Sequence, residues 1–146
     1  DAKKLLRWAA FLYPVGLDIS HTDYHKHSAY IIENVDIAGC SKAEQAQLSL
    51  LARAHRKSIP AKLFNDSDES LLYLALLLRL AVIFNRARKK ELPANRVLEA
   101  KSKKLMVTLP ALWLEENPLT LADLELEAGY WDNLDYKLRI KQLSED

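Results

Sequence analysis

Up to about residue 92 the apolar positions of the chain recur at helical spacing, and beyond Pro93 they shorten toward alternation. Leu5, Leu6, Trp8, Ala9, Phe11 and Leu12 cover a short helix, Lys3–Tyr13, nearly all round, so that helix is expected to be well buried. Pro14 and Gly16 end it. Ser20, with Asp23 three residues on, reads as the start of a second helix whose stripe is Tyr24, Ser28, Ile31 and Val35, widened by Ala29 and Ile32. After a turn at Asp36–Gly39, Ser41 and Glu44 form a capping box, in which the hydroxyl satisfies one free amide and the carboxylate another. The third helix is expected to reach about Lys57, with Leu48, Leu51 and His55 on one face, so His55 should look toward a core or cleft. The polar run Asn65–Glu69 leads into a fourth helix, Leu71–Phe84, apolar on most faces and so expected to be central. Arg79 interrupts it, and a guanidinium there must meet a carboxylate, a carbonyl or an anion, or reach an edge.

Past Pro93, Val97–Ala100 and Leu105–Leu109 read as two short strands, and Tyr136, Leu138 and Ile140 alternate with Lys137, Arg139 and Lys141 as a third. Between them Pro110–Glu116 and Thr120–Trp131 are helical. The pattern therefore predicts a mainly α protein: a helical domain over residues 1–92, followed by a small α+β subdomain over 93–146 with a short antiparallel sheet.

Composition narrows the class. At 146 residues and 49% hydrophobic, the chain can bury roughly two thirds of its unfolded surface without a staple. Cys40 is the only cysteine, which rules out an intramolecular disulfide and suits a reducing, cytoplasmic compartment. The longest apolar run, Leu71–Phe84, is too short and too charged to span a bilayer, and no secretory signal pattern opens the chain. With Asp1 first and a helix pattern almost at once, the chain looks like a piece of something longer.

Charge is unevenly placed. Residues 1–90 carry 14 Lys or Arg against 9 Asp or Glu and hold all four histidines, while residues 91–146 carry 7 against 11. The first half thus suits an anion. Arg53, Arg56, Lys57 and Lys62 form one stretch without acids, and Arg86, Arg88, Lys89 and Lys90 a second. Each lies at a helix end, where cations also complement the helix dipole. His21, His25 and His27 fall within seven residues, the first two one turn apart if the segment is helical. No nucleophile elbow is visible, and three glycines are too few for a phosphate loop.

Five words in order, Leu12-Tyr-Pro-Val-Gly-Leu-Asp-Ile-Ser-His, His25-Lys-His-Ser-Ala-Tyr, Gly39-Cys-Ser-Lys-Ala-Glu-Gln, Ala54-His-Arg-Lys and Leu78-Arg-Leu-Ala, carry a resemblance. Together with Trp113-Leu, Asn117 and Tyr130-Trp131, they resemble the C-terminal region of the exopolyphosphatase and guanosine pentaphosphate phosphohydrolase (Ppx/GppA) family. The resemblance implies an HD-like helical domain and a small mixed domain, normally joined to actin-like domains that hydrolyse the phosphoanhydride. No counterpart of those catalytic domains is visible here, so no catalytic residue and no cofactor is expected in this chain. Metal-dependent HD chemistry is also not expected. Tyr13 and Pro14 stand where the family pattern has its His-Asp/Glu pair, and Val82 where the last Asp would be. His27 and His55 alone, without carboxylates, make a poor site for a hard cation.

The expected partner is accordingly a polyanion, inorganic polyphosphate or a (p)ppGpp-type nucleotide, together with the catalytic domains of the parent chain. An antiparallel pair of the second and third helices would bring His25 and Lys26 to Arg53, Arg56 and Lys57, and these five are the expected contacts. His21, His27, His55 and Arg79 are secondary candidates. The histidine contribution is expected to fade as pH rises through about 6.5. The competing reading is a packing or homodimerisation module without a ligand. Nucleic acid and membrane are not expected partners, since no recognition motif or interleaved aromatics accompany the cations.

Overall fold

A computed structural model describes residues 1–86 and 91–144. In order these form α1 (Ala2–Leu12), a 3-10 turn (Val15–Asp18), α2 (Tyr24–Asn34), α3 (Lys42–Ala54), a second 3-10 turn (Ala61–Phe64) and α4 (Glu69–Arg86). Then follow β1 (Val97–Lys101), β2 (Lys104–Pro110), α5 (Ala111–Glu116), α6 (Pro118–Asp132) and β3 (Lys137–Leu143). The protein is mainly α with a small α+β part, as the pattern predicts. Its contacts group into two units, Asp1–Arg79 and Leu80–Asp146.

In the first unit each helix end is satisfied by a polar side chain from a later helix. The last carbonyls of a helix have no partner within it and must find one elsewhere. Ser28 Oγ of α2 donates to Tyr13 O, at the end of α1, over 2.6 Å and accepts from Gly16 N at 2.8 Å. Gln45 Nε2 of α3, nearly inaccessible, donates to Ile32 O at 2.7 Å, to Glu33 O at 3.3 Å and to Val35 O, closing α2. Arg79 of α4 donates to Ala54 O and, at 2.6 Å, to Lys57 O, closing α3. These are the polar residues that interrupt the apolar stripes, and the interruptions are what join the helices. Leu5, Ala9, Ala29, Ile32, Leu48, Leu51, Ala52, Ala75 and Leu78 are buried in this unit. Each large aliphatic among them contributes about 2 kcal/mol through surface removed from water.

The capping box forms: Glu44 N donates to Ser41 Oγ at 3.2 Å and Ser41 N to Glu44 Oε2 at 2.8 Å. Two expectations for the first helices are corrected. α1 buries only Leu5 and Ala9, and Phe11 is 80% exposed, because α1 packs on α3 along one face rather than being surrounded. α2 begins at Tyr24, not near Ser20, whose hydroxyl accepts from Thr22 N instead. Its buried stripe is His25, Ser28, Ala29 and Ile32. Because the helix starts later, His21 lies outside it and is exposed, so His21 and His25 share no helical face.

In the second unit the strand order is β1-β2-β3. β1 and β2 are an antiparallel hairpin in which Val97 faces Thr108, turning at Ser102 with φ 53°. β2 and β3 run parallel, pairing Leu105 with Leu138 and Val107 with Ile140, so the sheet is mixed rather than antiparallel. The reason is the connection. α5 and α6 fill the interval between the two strands and return the chain to the end from which β2 started, as a parallel neighbour requires. Val107, Leu109, Leu114, Leu124, Trp131, Tyr136 and Leu138 are buried in this unit, and Trp131 Nε1 donates to Glu127 Oε1 at 2.9 Å. Among the described residues no helix is long and apolar enough to cross a membrane.

Candidate functional site

Only Tyr13, Pro14 and the 3-10 turn lie between α1 and the loop before α2, and Gly16 lets that turn sit on α2. A Cβ at Gly16 would stand 2.2 Å from Tyr24 O and 2.4 Å from Ser28 N. This close approach, joined with Ser28's two hydrogen bonds, sets Tyr13 beside the start of α2. Tyr13 and Tyr24 then flank His55, with ring centroids 4.7 Å and 5.2 Å away.

His55 ends α3 and is buried, as its place on the Leu48–Leu51 face predicts. Its Nδ1 lies 2.6 Å from Ala52 O, an acceptor only, so Nδ1 carries the proton. Nε2 is then the acceptor, and Tyr24 Oη donates to it over 3.1 Å. Burial, with smaller contributions from His25, Arg56 and Arg79, lowers the His55 pKa to about 4 against the pull of the Ala52 hydrogen bond.

His25 packs edge-on to His55 at 6.4 Å and is 3% exposed. Its Nδ1 is buried without a hydrogen-bond partner. Burial, then the charges of Arg53 and Arg56, hold its pKa down to about 4. His25 is therefore neutral at pH 6.5, and the expected fading of its charge through that value does not apply.

Around this pair stand the cations. Arg56 lies over the Tyr24 ring at 4.5 Å, and its Nη1 is buried without a partner. Lys57, at φ 60°, bonds through Nζ to Asp23 Oδ1 at 2.9 Å, and Lys26 Nζ meets Asp23 Oδ2 at 3.2 Å. These two lysines lower the Asp23 pKa to about 2. The structure thus brings His25, Lys26, Arg53, Arg56 and Lys57 together where α2 begins and α3 ends. His55 lies behind them. Arg79 reaches the same place from beneath, a buried residue whose guanidinium donates to the carbonyls of Ala54 and Lys57. His21 touches the edge of the cluster, 5.9 Å from the Tyr24 ring, while His27 is half-buried and joins none of these contacts.

Sequence reasoning gave no place in the site to Asp23 or the two tyrosines. Asp23 was legible only as a helix-start residue, and nothing in a sequence shows that its carboxylate turns to a lysine 34 positions away. The second basic stretch is different in kind. Arg86 pairs with Asp123 of α6 at 3.8 Å, and Arg88, Lys89 and Lys90 lie outside the described residues. Val82 is buried. No group of three His, Cys, Asp or Glu side chains among the described residues is placed to hold a metal ion.

Residues 1–128 match the model of a known family, described as Ppx/GppA phosphatase, domain III. The chain belongs to the Ppx/GppA phosphatase family. The guanosine-5′-triphosphate,3′-diphosphate pyrophosphatase of Vibrio vulnificus is 37% identical over 142 residues, taking in 94% of this chain and 28% of that protein. The protein of the same name from Vibrio cholerae is 35% identical over 144 residues, or 97% of this chain and 29% of the relative. The chain therefore spans under a third of the length of these relatives and corresponds to one domain of the Ppx/GppA architecture.

Proposed function

We propose that this domain is the accessory, polyanion-binding part of a Ppx/GppA hydrolase, holding a chain of phosphates for catalytic domains elsewhere in the parent protein. The observation that carries this reading is the convergence of cations where α2 begins and α3 ends. Arg53 and Arg56 have no carboxylate partner among the described residues, and Arg56 Nη1 and His25 Nδ1 are left without hydrogen bonds. An oxyanion with several acceptors suits that arrangement: the guanidinium offers a planar fork, and a neutral imidazole adds one short-range contact. The ligand class is inorganic polyphosphate or a guanosine pentaphosphate-type nucleotide, the latter in line with the names of the relatives. The domain contributes binding and no bond cleavage, takes no cofactor, and works in the cytoplasm, where a lone Cys40 stays reduced.

Arg56→Ala is expected to weaken binding more than Lys57→Ala, because Arg56 is fixed on Tyr24 while Lys57 is already engaged by Asp23. The test is polyphosphate binding by the Arg53→Ala/Arg56→Ala protein at two salt concentrations, with a melting curve beside it. A loss of about tenfold or more in affinity at low salt, shrinking as salt rises, is expected. Unchanged affinity with a lowered melting temperature would mean that the arginines serve only the helix end.

A packing role is the second reading, favoured by one observation. Phe11 at 80% and Leu119 at 81% exposure are large apolar side chains left facing water. If these are contact surfaces for the parent's other domains or a second copy, polar substitution at either position will alter assembly and leave polyphosphate binding intact.

A further inference from the structure

Asp23 stands in the N-cap position of α2, where an aspartate ordinarily accepts from the amides of the first turn, yet its carboxylate makes no capping bond. Both oxygens go to lysines instead, Oδ1 to Lys57 at 2.9 Å and Oδ2 to Lys26 at 3.2 Å. The two residues of the longer-range pair also share an uncommon backbone: Asp23 has φ 53° and Lys57 φ 60°, the left-handed region that side-chain-bearing residues seldom enter. A capping bond forgone and two left-handed residues are what the fold spends to set one carboxylate between the cations of two helices. Beside them Arg53 and Arg56 have no such carboxylate among the described residues.

We propose that Asp23 is a resident counter-anion of this site: it neutralises Lys26 and Lys57 in the empty domain and is displaced only by a ligand carrying several linked phosphates. The proposal rests on the polyanion reading above and assigns the site its selectivity. A small anion that reaches Lys57 must replace a carboxylate already held at 2.9 Å, exchanging one ion pair for another with little gain. A phosphate chain engages Arg53 and Arg56 first. Its next phosphates then compete with Asp23 at the high effective concentration that tethering gives, so exchange at the lysines follows. Free inorganic phosphate, the product of any such hydrolase, has no tether and is excluded. The site therefore discriminates by ligand length without needing a closed pocket.

The test uses this chain with two probes, inorganic polyphosphate and inorganic phosphate. Asp23→Asn and Asp23→Gly both remove the charge and both tolerate a left-handed backbone, so a failure of one to fold leaves the other. Each is expected to raise polyphosphate affinity about three- to tenfold at low salt and to raise inorganic phosphate binding by more, narrowing the discrimination between them. In the unaltered protein, carbon-detected titration of the Asp23 carboxyl should move upward when polyphosphate is added, and stay in place with the same amount of phosphorus as inorganic phosphate. If the Asp23 variants bind both probes as before, or more weakly, and the carboxyl does not respond, the counter-anion role is overturned. Loss of polyphosphate binding in Arg53→Ala/Arg56→Ala in that same series would leave the site itself standing. If the arginine variant also binds normally, the polyanion reading falls and this proposal with it.

Discussion

Gly16 is required by contact rather than by its own dihedral angles. A methyl group there would lie 2.2 Å from Tyr24 O and 2.7 Å from Ser28 Oγ, both fixed by α2, so the turn must lift away. Gly16→Ala is expected to lower stability by about 3 kcal/mol, the upper part of the range for overpacking, read by urea denaturation. Binding should weaken with it, since Tyr13 and Tyr24 lose their seat around His55. Arg79 is the other residue on which the site leans. Its guanidinium supplies the donors for Ala54 O and Lys57 O, and a cation there also suits the negative end of α3. Arg79→Met keeps much of the volume and removes the donors, so a loss of about 3 kcal/mol is expected from the same measurement. Amide exchange at residues 54–57 should accelerate before the rest of α3 does.

At the scale of elements, α3 has both of its ends specified by side chains. Ser41→Ala removes one half of the capping box and is expected to cost about 1 kcal/mol, seen as a shift in the urea midpoint without a change in slope. That start was legible in the sequence because its partners lie three residues apart and satisfy each other locally. The start of α2 was misread for the opposite reason: Ser20 and Asp23 have the same spacing of types, but Lys57, 34 positions on, takes the Asp23 carboxylate. α1 shows a third case. Its composition reads as buried all round, yet a helix is covered only where neighbours exist, and Phe11 is left largely exposed. The helical stripes, the period change after Pro93 and the burial of His55 needed only periodicity. The sheet direction did not follow from it, because alternation marks a strand without saying which way its neighbour runs.

Over the whole molecule, the buried histidines set a pH limit. His25 and His55 each titrate near 4 when folded and near 6.5 when unfolded, so below 6.5 the unfolded chain takes up protons that the folded one refuses. Stability contributed by their neutrality is complete above 6.5 and is lost as pH falls from there to about 4. The loss should be on the order of 3 kcal/mol for each histidine. Asp23 and Glu44, each lowered to about 2 by hydrogen-bonded lysines, act in a lower window, and their contribution disappears as pH drops from about 4 toward 2. Melting temperatures at pH 7.5, 5.5 and 4 should therefore fall stepwise, and His55→Gln should flatten the first step. A flat profile in the unaltered protein between 6.5 and 4 would show that the imidazoles are not held neutral.

The mixed sheet also dictates a sequence of events in time. Lys101 and Lys104 meet across a turn of two residues, whereas Lys104 and Lys137 meet only after 33 positions of chain have been folded out of the way. Hairpins close in microseconds, and pairings across long separations wait on the elements between them. β3 therefore docks last, after α5 and α6 exist to carry it back. In a refolding experiment with pulsed deuterium labelling, the β1–β2 amides should gain protection in an early phase and those of Lys137–Leu143 in a later one. Until that second phase, the hairpin edge that β3 will cover is an open template for the same strand of another molecule, and refolding yield should fall as protein concentration rises.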